Sequence, residues 1–433
     1  MTKEQPYQVI ARKFRPQTFA EVVGQETVVT TLKNALRLDK AAHGYLFCGL
    51  RGTGKTSLAR LFAKALNCAH LNENQEPCNR CASCSEITNG HSLNVLEIDG
   101  ASNRGIDDIR QLNETIGYAP ATGKYKIYLI DEVHMLTKEA FNALLKTLEA
   151  PPKHVKFFFA TTEPHKVLPT ILSRCQRFDL GRIPALLIEN KLKSIAQELN
   201  AQVEAEVFSL ITQRAEGSLR DAESLFDQIL CYTEGKVTAE AVMLTLGLTD
   251  QDVFFALDQA MKEDKRAFAF ELAEKIYSSG KECTYFLEEL MQHLRTLLLI
   301  KLQGPQASPS EKHTHAASLY TQEQLLNLLD FLMHSFQENT KHSLKRITLE
   351  MILLHIIRSH HQLSLDVLVQ RLIALEKGIP PPPIKELPPQ EEIDLEGNKP
   401  FIRATKTPQH KHDTLIHFAA VELEGTINGK RIF

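Results

Sequence analysis

The sequence predicts an α/β phosphate-loop fold with a parallel sheet, followed by two domains built from helices alone. Three observations lead to this prediction. Apolar strand-like runs alternate with helical patterns from Gly44 to about Asp179, the order expected of a parallel sheet with crossover helices. A glycine-rich loop with a lysine directly follows the first of these runs. Beyond about Arg182 the strand-like runs cease and helical patterns continue.

Apolar runs predict four strands, and breaks in the pattern predict the domain boundaries. The strands are Tyr45 to Cys48, Leu93 to Ile98, Ile127 to Ile130 and Val155 to Ala160. The segment before them, Thr18 to Leu38, has apolar residues at helical spacing and is predicted to be a helical lead-in. The predicted domains are the α/β module at 1–182, a small helical domain at 183–246, a helical bundle at 247–375, and a proline-rich linker with a weakly ordered tail at 376–433.

The last helix of the predicted bundle has a regular apolar stripe. Leu344, Ile347, Met351 and Leu354 follow one another at steps of three, four and three residues. Such spacing places all four side chains on one face of a helix, and we expect that face to be buried in the bundle core.

Size, composition and charge exclude several classes of protein. The chain has 433 residues, of which 43% are hydrophobic and 24% charged, so it can build several cores and is neither fibrous nor wholly disordered. Its formal net charge of −3 carries no global signature of nucleic-acid binding, which does not exclude a local basic face. Met1 precedes a polar stretch, and no apolar run has the length of a membrane span. We therefore expect a cytoplasmic protein with no membrane partner.

The segment Gly49-Leu50-Arg51-Gly52-Thr53-Gly54-Lys55-Thr56-Ser57 is the candidate nucleotide-binding loop. Its first eight residues match the pattern GxxxxGK[ST] and lie between a predicted strand and a predicted helix. The glycines allow backbone N–H groups to surround phosphates, Lys55 is placed to reach the β and γ phosphates, and Thr56 is placed to ligate Mg²⁺. The alternative is a glycine-rich turn without a ligand, which the flanking strand and helix disfavour. The loop predicts binding of ATP with Mg²⁺.

A second apolar strand ends in two adjacent acids, Asp131 and Glu132. Asp131 at the strand end is placed to hold the water shell of Mg²⁺, and Glu132 is placed to polarise the attacking water as general base. Alone, such a pair often marks a strand that leaves the core. Combined with the phosphate loop, it predicts ATP hydrolysis.

Four of the eight cysteines cluster in one short segment. Cys68, Cys78, Cys81 and Cys84 have the spacing C-x9-C-x2-C-x2-C, which suits a closed tetrahedral Zn²⁺ site of structural type. An iron–sulfur cluster and free or disulfide-bonded cysteines are the alternatives. If the metal stabilises the insertion 68–84, its removal is expected to loosen that insertion alone. The other four cysteines are isolated in the sequence and are expected to be buried.

The order of these motifs resembles a known family. The phosphate loop, the four-cysteine insertion and the Asp-Glu strand, followed by Ser173-Arg174-Cys175 and Gly217-Ser218-Leu219-Arg220-Asp221-Ala222, are similar to the gamma/tau family of bacterial DNA polymerase III clamp-loader subunits. The resemblance covers about residues 7 to 375 and begins at Arg12-Lys13-Phe14-Arg15-Pro16, whose cations either contact nucleotide or are solvated. Phe14 replaces the family's usual tryptophan and keeps an aromatic surface. The resemblance implies an AAA+ module, a helical lid and an oligomerising helical collar.

The resemblance also implies roles for individual side chains. Thr162 would sense the γ-phosphate, Arg174 would act in trans as an arginine finger, and Arg220 would close the lid onto the phosphates. The alternatives are, respectively, an ordinary strand-end threonine, a locally paired arginine and a solvated arginine. By analogy, Tyr7 and the pair Val22–Val23 would pack on the adenine.

The function implied is that of an ATPase subunit of the clamp loader. ATP binding and hydrolysis would drive opening of the sliding clamp and its loading on primed DNA. The implied partners are delta and delta-prime subunits, further copies of this chain, the sliding clamp and primer-template DNA. The chain resembles a gamma-length product, which leaves docking of the polymerase core open, and residues 402–433 match nothing. The sequence has no recognisable pair of polymerase carboxylates.

Two other functions fit the same motifs less well. One is a different AAA+ DNA motor, such as a branch-migration helicase or an initiator, which the predicted zinc insertion disfavours. The other is a scaffold of the clamp-loader ring that binds ATP without hydrolysing it. The complete set of Lys55, Asp131 and Glu132 argues against the scaffold.

Overall fold

The structure is a computed structural model of the chain. It describes residues 7–120, 123–233, 235–304, 311–339, 345–359, 373, 426–427 and 430–431. The chain divides into two compact units, Met1–Gln362 and Leu363–Phe433. Apart from the two short strands of the second unit, the predicted linker and tail at 376–433 lie outside the described residues. Among the described residues, no helix is long and apolar enough to cross a membrane.

The first unit contains a five-stranded parallel sheet with the order β2-β3-β4-β1-β5. Its strands are β1 (Gly44–Gly49), β2 (Val95–Asp99), β3 (Lys126–Asp131), β4 (Val155–Thr161) and β5 (Gln176–Leu180). The four predicted strands are present with ends shifted by one or two residues. The fifth was not predicted, because only Phe178 and Leu180 of β5 are buried and the strand has no apolar run. In the second unit, β6 (Thr426–Ile427) pairs antiparallel with β7 (Lys430–Arg431).

Helices surround the sheet and build the rest of the described first unit. They are α1 (Ile10–Lys13), α2 (Glu26–Arg37), α3 (Lys55–Asn67), α4 (Ala82–Asn89), α5 (Ile106–Ile116), α6 (Lys138–Glu149), α7 (Pro169–Leu172), α8 (Ala185–Glu198), α9 (Ala205–Ala215), α10 (Leu219–Tyr232), α11 (Ala239–Leu246), α12 (Gln251–Lys262), α13 (Ala267–Ser278), α14 (Cys283–Gln303), α15 (Glu311–Ser318), α16 (Gln322–Asn339) and α17 (Lys345–Ser359). The predicted lead-in is a short 3₁₀ turn, Phe19–Glu21, followed by α2. Gly24 separates them at φ 71°, which interrupts a continuous helix.

Four apolar cores hold these elements together. One face of the sheet packs on α3 through an aromatic cluster that includes Tyr45, Phe62 and Phe158. The other face packs on α5 and α6. The lid helices α8 to α11 have their own core, and the bundle helices α12 to α17 have another. The sheet is thus covered on both faces, as a parallel sheet requires.

The predicted buried stripe of the last bundle helix is wrong at two of its four positions. Ile347 and Met351 are 54% and 59% exposed, whereas α17 is buried through the set Leu349, Ile352, Leu353, Ile356 and Ile357. Leu354 is partly buried against the bundle core. Apolar residues occupy nearly every face of α17, so the spacing of one subset could not identify the side that packs. Leu344 lies outside the described residues.

A polar network is enclosed in the bundle core. Asp258 on α12 accepts a hydrogen bond from the Tyr320 hydroxyl at 2.6 Å and lies 2.9 Å from His293 Nε2 on α14. The three residues are each at least nine-tenths buried. A buried carboxylate is costly without partners, so this network ties α12 to α14 and to the end of α15.

We expect Asp258→Ala to destabilise the bundle by about 3 kcal/mol, because it leaves two buried polar groups without their partner. Hydrogen exchange of α12 to α15 measures this loss. Asp252→Ala on the same helix is the control, since Asp252 pairs with Lys312 in an exposed ion pair that is worth less than about 1 kcal/mol. Equal exchange in the two variants would contradict the structural role of the network.

Candidate functional site

The phosphate loop lies at the carboxyl end of β1 and leads directly into α3. Lys55 is the first residue of α3 and is buried, with its Nζ donating to the Leu50 carbonyl at 2.8 Å. The Thr53 hydroxyl donates to the same carbonyl at 2.9 Å. Desolvation lowers the pKa of Lys55, an effect that Glu132 and Asp131 oppose. The buried ammonium of Lys55 and the N-terminus of the 13-residue helix α3 therefore both lie at the phosphate loop, where they favour an anionic ligand.

The two predicted acids lie beside this loop. Asp131 ends β3, and its Oδ2 accepts a hydrogen bond from the Thr56 hydroxyl at 2.7 Å. Glu132 follows in the left-handed conformation at φ 46°, which turns the chain away from the sheet. The Thr162 hydroxyl, directly after β4, donates to Glu132 Oε2 at 3.2 Å. The structure thus brings four predicted residues together, and Thr162 contacts the acid predicted as general base.

A histidine that the sequence analysis missed completes this cluster. The buried ring of His134 has Nδ1 3.3 Å from Glu132 Oε2 and 3.0 Å from the Thr161 hydroxyl. Its Nε2 lies 3.4 Å from Glu163 Oε1. The available signal was a histidine two residues after the acid pair at a strand end. His134 connects the loops after β3 and β4 and restrains the Glu132 carboxylate.

The lid touches the phosphate loop at Gly52. A Cβ on Gly52 would collide with Ser218 Oγ and lie 3.3 Å from Arg220 Cβ. Gly52 also has φ 76°, a conformation that favours glycine. The backbone N–H of Arg220, in the first turn of α10, donates to the Gly52 carbonyl at 3.4 Å. This contact seats the N-terminus of a lid helix directly on the loop.

The loop, the acids and the lid enclose a cavity of about 490 Å³, within the range of nucleotide-sized pockets. Val22, Val23 and Arg220 line it, and their contacts with adenine and phosphates stay predictions. The expectation for Tyr7 is wrong, because Tyr7 is 71% exposed and its hydroxyl donates to Asp227 at 2.7 Å, outside the cavity lining.

The basic group near the N-terminus divides between the cavity and the surface. Arg15 lines the cavity, and its burial beside Arg60 lowers the pKa of its guanidinium. Arg12 and Lys13 are exposed, and Lys13 lies over the ring of Phe14. The sequence left open whether these cations contact nucleotide or are solvated. The position of Arg15 suits contact with nucleotide, whereas Arg12 and Lys13 are solvated.

Arg174 lies apart from the cavity of its own chain. Its guanidinium pairs with Glu149 at 2.8 Å and donates to the Thr170 carbonyl at 2.8 Å. The side chain is one-third exposed. Arg174 therefore does not line the candidate nucleotide cavity of its own chain. Its role in trans stays a prediction.

One acid in the cavity wall has unusual surroundings. Glu223 on α10 is only 5% exposed and lines the cavity. Burial raises the pKa of its carboxyl to about 7, and the charges of Lys191 and Arg15 offset this only in part. Neither cation is within ion-pair distance, and among the described residues no group donates a hydrogen bond to this carboxylate.

The four clustered cysteines form a compact sulfur site. The sulfur atoms of Cys68, Cys78, Cys81 and Cys84 lie within 4.8 Å of one another, and none is in a disulfide. A tetrahedral ion with Zn–S bonds of 2.3 Å separates its sulfurs by about 3.8 Å, so the site fits Zn²⁺ after small adjustments. Backbone N–H donors from Arg80 and Cys81 lower the pKa of Cys78 to about 6, which favours its thiolate. Outside this site, Cys231 is exposed, contrary to expectation.

The insertion is joined to the cavity wall more closely than the sequence indicated. Glu76, next to the cysteine site, accepts hydrogen bonds from the backbone N–H groups of Phe19 and Ala20 at 2.6 and 3.1 Å and pairs with Lys33. The 3₁₀ turn Phe19–Glu21 leads into Val22, which lines the cavity. The expectation that metal removal loosens the insertion alone therefore does not match these contacts.

Three protein-family models match consecutive parts of the chain. The model described as DNA polymerase III, delta subunit, matches residues 24–184. The model for the ATPase lid domain of the DNA polymerase III clamp loader subunit matches residues 187–235. The model for domain III of DNA polymerase III subunits gamma and tau matches residues 237–372.

Individual relatives agree with these matches. The chain is 40% identical over 384 residues to the DNA polymerase III subunit tau of Bacillus subtilis, covering 86% of this chain and 68% of that protein. It is 46% identical over 296 residues to the Escherichia coli subunit tau, but spans only 46% of that protein's length. For the subunit gamma of Buchnera aphidicola subsp. Baizongia pistaciae, the identity is 40% over 299 residues and 80% of that protein is covered. The RuvB Holliday junction branch migration motor of Thermotoga maritima aligns with 57% of this chain and 79% of the RuvB chain, at 18% identity and a TM-score of 0.41, too low to bear on function.

The raised pKa of Glu223 predicts a pH-dependent stability of the lid. Because its folded-state pKa lies above the value of 4.5 for a free carboxyl, the folded chain binds more protons than the unfolded chain between pH 4.5 and 7. The free energy of unfolding therefore falls as the pH rises through this window, by about 3 kcal/mol in total.

Replacing this carboxyl should remove the pH dependence. We expect Glu223→Leu, without nucleotide, to stabilise the lid more at pH 8 than at pH 5, with the two gains differing by about 2 kcal/mol. Urea denaturation at both pH values, with hydrogen exchange of α10, measures the difference. Glu198→Leu, at an exposed position of α8, is the control. A pH-independent effect of Glu223→Leu would show that the carboxyl is not destabilised by burial.

Removal of a metal ion from the four-cysteine site is expected to change amide exchange locally. Because Glu76 joins the insertion to Phe19 and Ala20, we expect chelation to accelerate amide exchange at 68–84 and, by roughly tenfold or more, at these two amides. Exchange in α6, on the other face of the sheet, should not change. Unchanged exchange at residues 19 and 20 would mean that the insertion and the cavity wall are independent, and a metal assay that finds iron would refute the zinc assignment.

Proposed function

The chain belongs to the family of DNA polymerase III gamma and tau subunits, and on that premise we propose that it is an ATPase subunit of the clamp loader. ATP binding and hydrolysis would be coupled to opening of the sliding clamp and to its loading on primed DNA during replication. The observation that carries the ATPase assignment is the 2.7 Å contact between Thr56 and Asp131. The hydroxyl and the carboxylate that would bind the metal are therefore in contact with each other, and both line the cavity together with the adjacent Glu132.

The residues present fit ATP with Mg²⁺. Lys55 is buried with its ammonium directed at a loop carbonyl, a contact that phosphate oxygens would replace. The Thr56 hydroxyl and the Asp131 carboxylate are the oxygen donors that Mg²⁺ prefers. Mg²⁺ supplies neutralisation of phosphate charge when it is bound. The cavity of about 490 Å³ has room for a nucleotide.

Each side chain of the site then has a distinct task. Lys55 binds the phosphates, and Glu132 orients the attacking water and accepts its proton at the carboxylate. Thr162 and His134 hold that carboxylate in place through the contacts at 3.2 and 3.3 Å. Arg220 would couple nucleotide binding to the position of the lid, because its helix lies directly against the phosphate loop.

Arg174 would complete the site of a neighbouring subunit. Its side chain is one-third exposed in the loop before β5 and pairs with Glu149 and the Thr170 carbonyl of its own chain, contacts that it would exchange for those of the neighbouring site. An arginine finger stabilises charge on the transferred phosphoryl group, and a finger supplied in trans makes hydrolysis depend on assembly. The proposal gives Arg174 this role.

The metal and the partners complete the proposal. Zn²⁺ at the four cysteines would be structural, since four thiolates leave no open coordination position. The partners would be delta and delta-prime subunits, further copies of this chain, the sliding clamp and primer-template DNA, in the cytoplasm. Polymerase activity would reside in other subunits of the holoenzyme.

Glu132→Gln tests the chemical step. We expect this variant to bind ATP normally and to hydrolyse it at least roughly 10²-fold more slowly, because the amide cannot accept a proton from water. Single-turnover hydrolysis and calorimetric binding separate the two effects. Glu139→Gln, at an exposed position of α6, is the control. Hydrolysis at the wild-type rate would show that Glu132 is not the base, and no ATP binding by the wild type would contradict the proposed function itself.

Arg174→Ala tests the role in trans. We expect unchanged ATP affinity in the isolated chain and a loss of roughly 10³-fold in ATP turnover of the assembled clamp loader. Arg177→Ala is the matched control, because Arg177 is exposed and pairs with Asp179 on the same strand. An assembled ATPase rate equal to that of the wild type would rule out the arginine finger.

A further inference from the structure

Five acids line the nucleotide cavity, and Glu223 differs from the other four. Asp131 accepts from Thr56 and Glu132 accepts from Thr162. The remaining two are also satisfied, since Glu97 pairs with Arg60 and Glu21 accepts from the Thr18 hydroxyl and the Gln17 amide. Among the described residues, only the Glu223 carboxylate lines this cavity with neither a hydrogen-bond donor nor an ion-pair partner.

The position of Glu223 is costly for the chain without a ligand. The residue is 95% buried, and a carboxyl in such a position loses most of its hydration without a hydrogen bond to compensate. Its pKa of about 7 reflects the same cost. A leucine would fill this position of α10 at lower cost, so a carboxyl that only packs against its neighbours has no physical advantage here.

The helix geometry separates Glu223 from the part of the lid that touches the phosphate loop. Arg220 and Leu219 precede it by three and four residues on α10, so the three side chains share one face of the helix. Arg220 is in the turn that touches the phosphate loop at Gly52, and Glu223 lies about 4.5 Å further along the helix axis. A carboxylate would repel the phosphates, whereas the nucleoside presents ribose hydroxyls and base amino groups as donors.

The cavity lining also includes the apolar surface that a nucleoside needs. Val22, Val23, Leu219 and Ile183 line the cavity, and three of them, Val23, Leu219 and Ile183, pack in the core of the lid to which the helix of Glu223 belongs. Arg15 and Lys191 are near enough for their charges to act on the Glu223 carboxyl but make no ion pair with it. The carboxylate is therefore free to accept a bond from a ligand placed against this apolar wall.

We propose that Glu223 is a specificity-determining residue that accepts a hydrogen bond from an O–H or N–H donor of the nucleoside part of the bound nucleotide. This inference rests on the proposed function, because it requires that the cavity binds ATP. The donor is either a ribose hydroxyl or the 6-amino group of adenine. Both are neutral donors that a buried carboxylate recognises, and analogues that lack one of them distinguish the two sources.

Binding measurements on the full chain test the proposal. We would titrate ATP, 2′-deoxy-ATP, 3′-deoxy-ATP and ITP, which has an oxygen in place of the 6-amino group, into the wild type and Glu223→Leu at pH 8. We expect the wild type to bind one of these analogues at least roughly tenfold more weakly than ATP. Glu223→Leu should bind ATP as weakly as the wild type binds that analogue and should no longer distinguish the two.

Two further variants separate recognition from a structural effect. Glu223→Gln retains an acceptor oxygen and should keep part of the preference, whereas Glu198→Leu repeats the same chemical change at an exposed lid position and should keep all of it. The melting temperature of Glu223→Leu without nucleotide should be at least that of the wild type, so weaker binding would not come from misfolding.

The outcomes distinguish this inference from the proposed function. If Glu223→Leu binds ATP and ranks the four nucleotides as the wild type does, Glu223 does not recognise the nucleoside and the inference is overturned. The same holds if the wild type binds all four nucleotides equally. A wild-type chain that binds none of them would contradict the proposed function as well.

Discussion

The close contact between the phosphate loop and the lid at Gly52 is the constraint on which the rest of the site depends. Gly52 has φ 76° and no room for a Cβ beside Ser218, so the N-terminus of α10 lies directly against the loop. That contact places Arg220 and Glu223 over the same cavity as Lys55. A nucleotide bound as proposed would contact the phosphate loop and the lid together, so its binding free energy would depend on the position of the lid.

The order of the strands explains the other side of the cavity. Because β4 lies between β3 and β1, the loop after β4 is adjacent to the acid pair at the end of β3. Thr162 and His134 can then contact the Glu132 carboxylate, although Thr162 is thirty residues away in the chain. The sequence predicts the strands, since most are apolar runs buried on both faces. It does not predict their order, and β5 escaped prediction because polar residues precede and separate its two buried apolar residues, Phe178 and Leu180.

The site residues that the sequence predicts are those that belong to local patterns, and the ones it missed depend on contacts distant in the chain. The phosphate loop, the acid pair and the cysteines are local patterns whose spacing is itself the chemical requirement. Glu223 and His134 have roles that depend on burial and on partners distant in the sequence, and a glutamate in a helix ordinarily faces solvent. The exposure of Ile347 and Met351 on α17 is a related failure, because a helix that is apolar on nearly every side does not reveal which side packs.

Under the proposed function, this cavity couples ATP hydrolysis to loading of a sliding clamp. We would measure the ATP hydrolysis rate of the chain assembled with delta and delta-prime subunits, first alone and then with sliding clamp, with primed DNA and with both. We expect strong stimulation only when clamp and primed DNA are present together. Hydrolysis that is indifferent to the clamp would contradict this coupling and favour another DNA motor, and absence of hydrolysis in every mixture would leave a scaffold that only binds ATP.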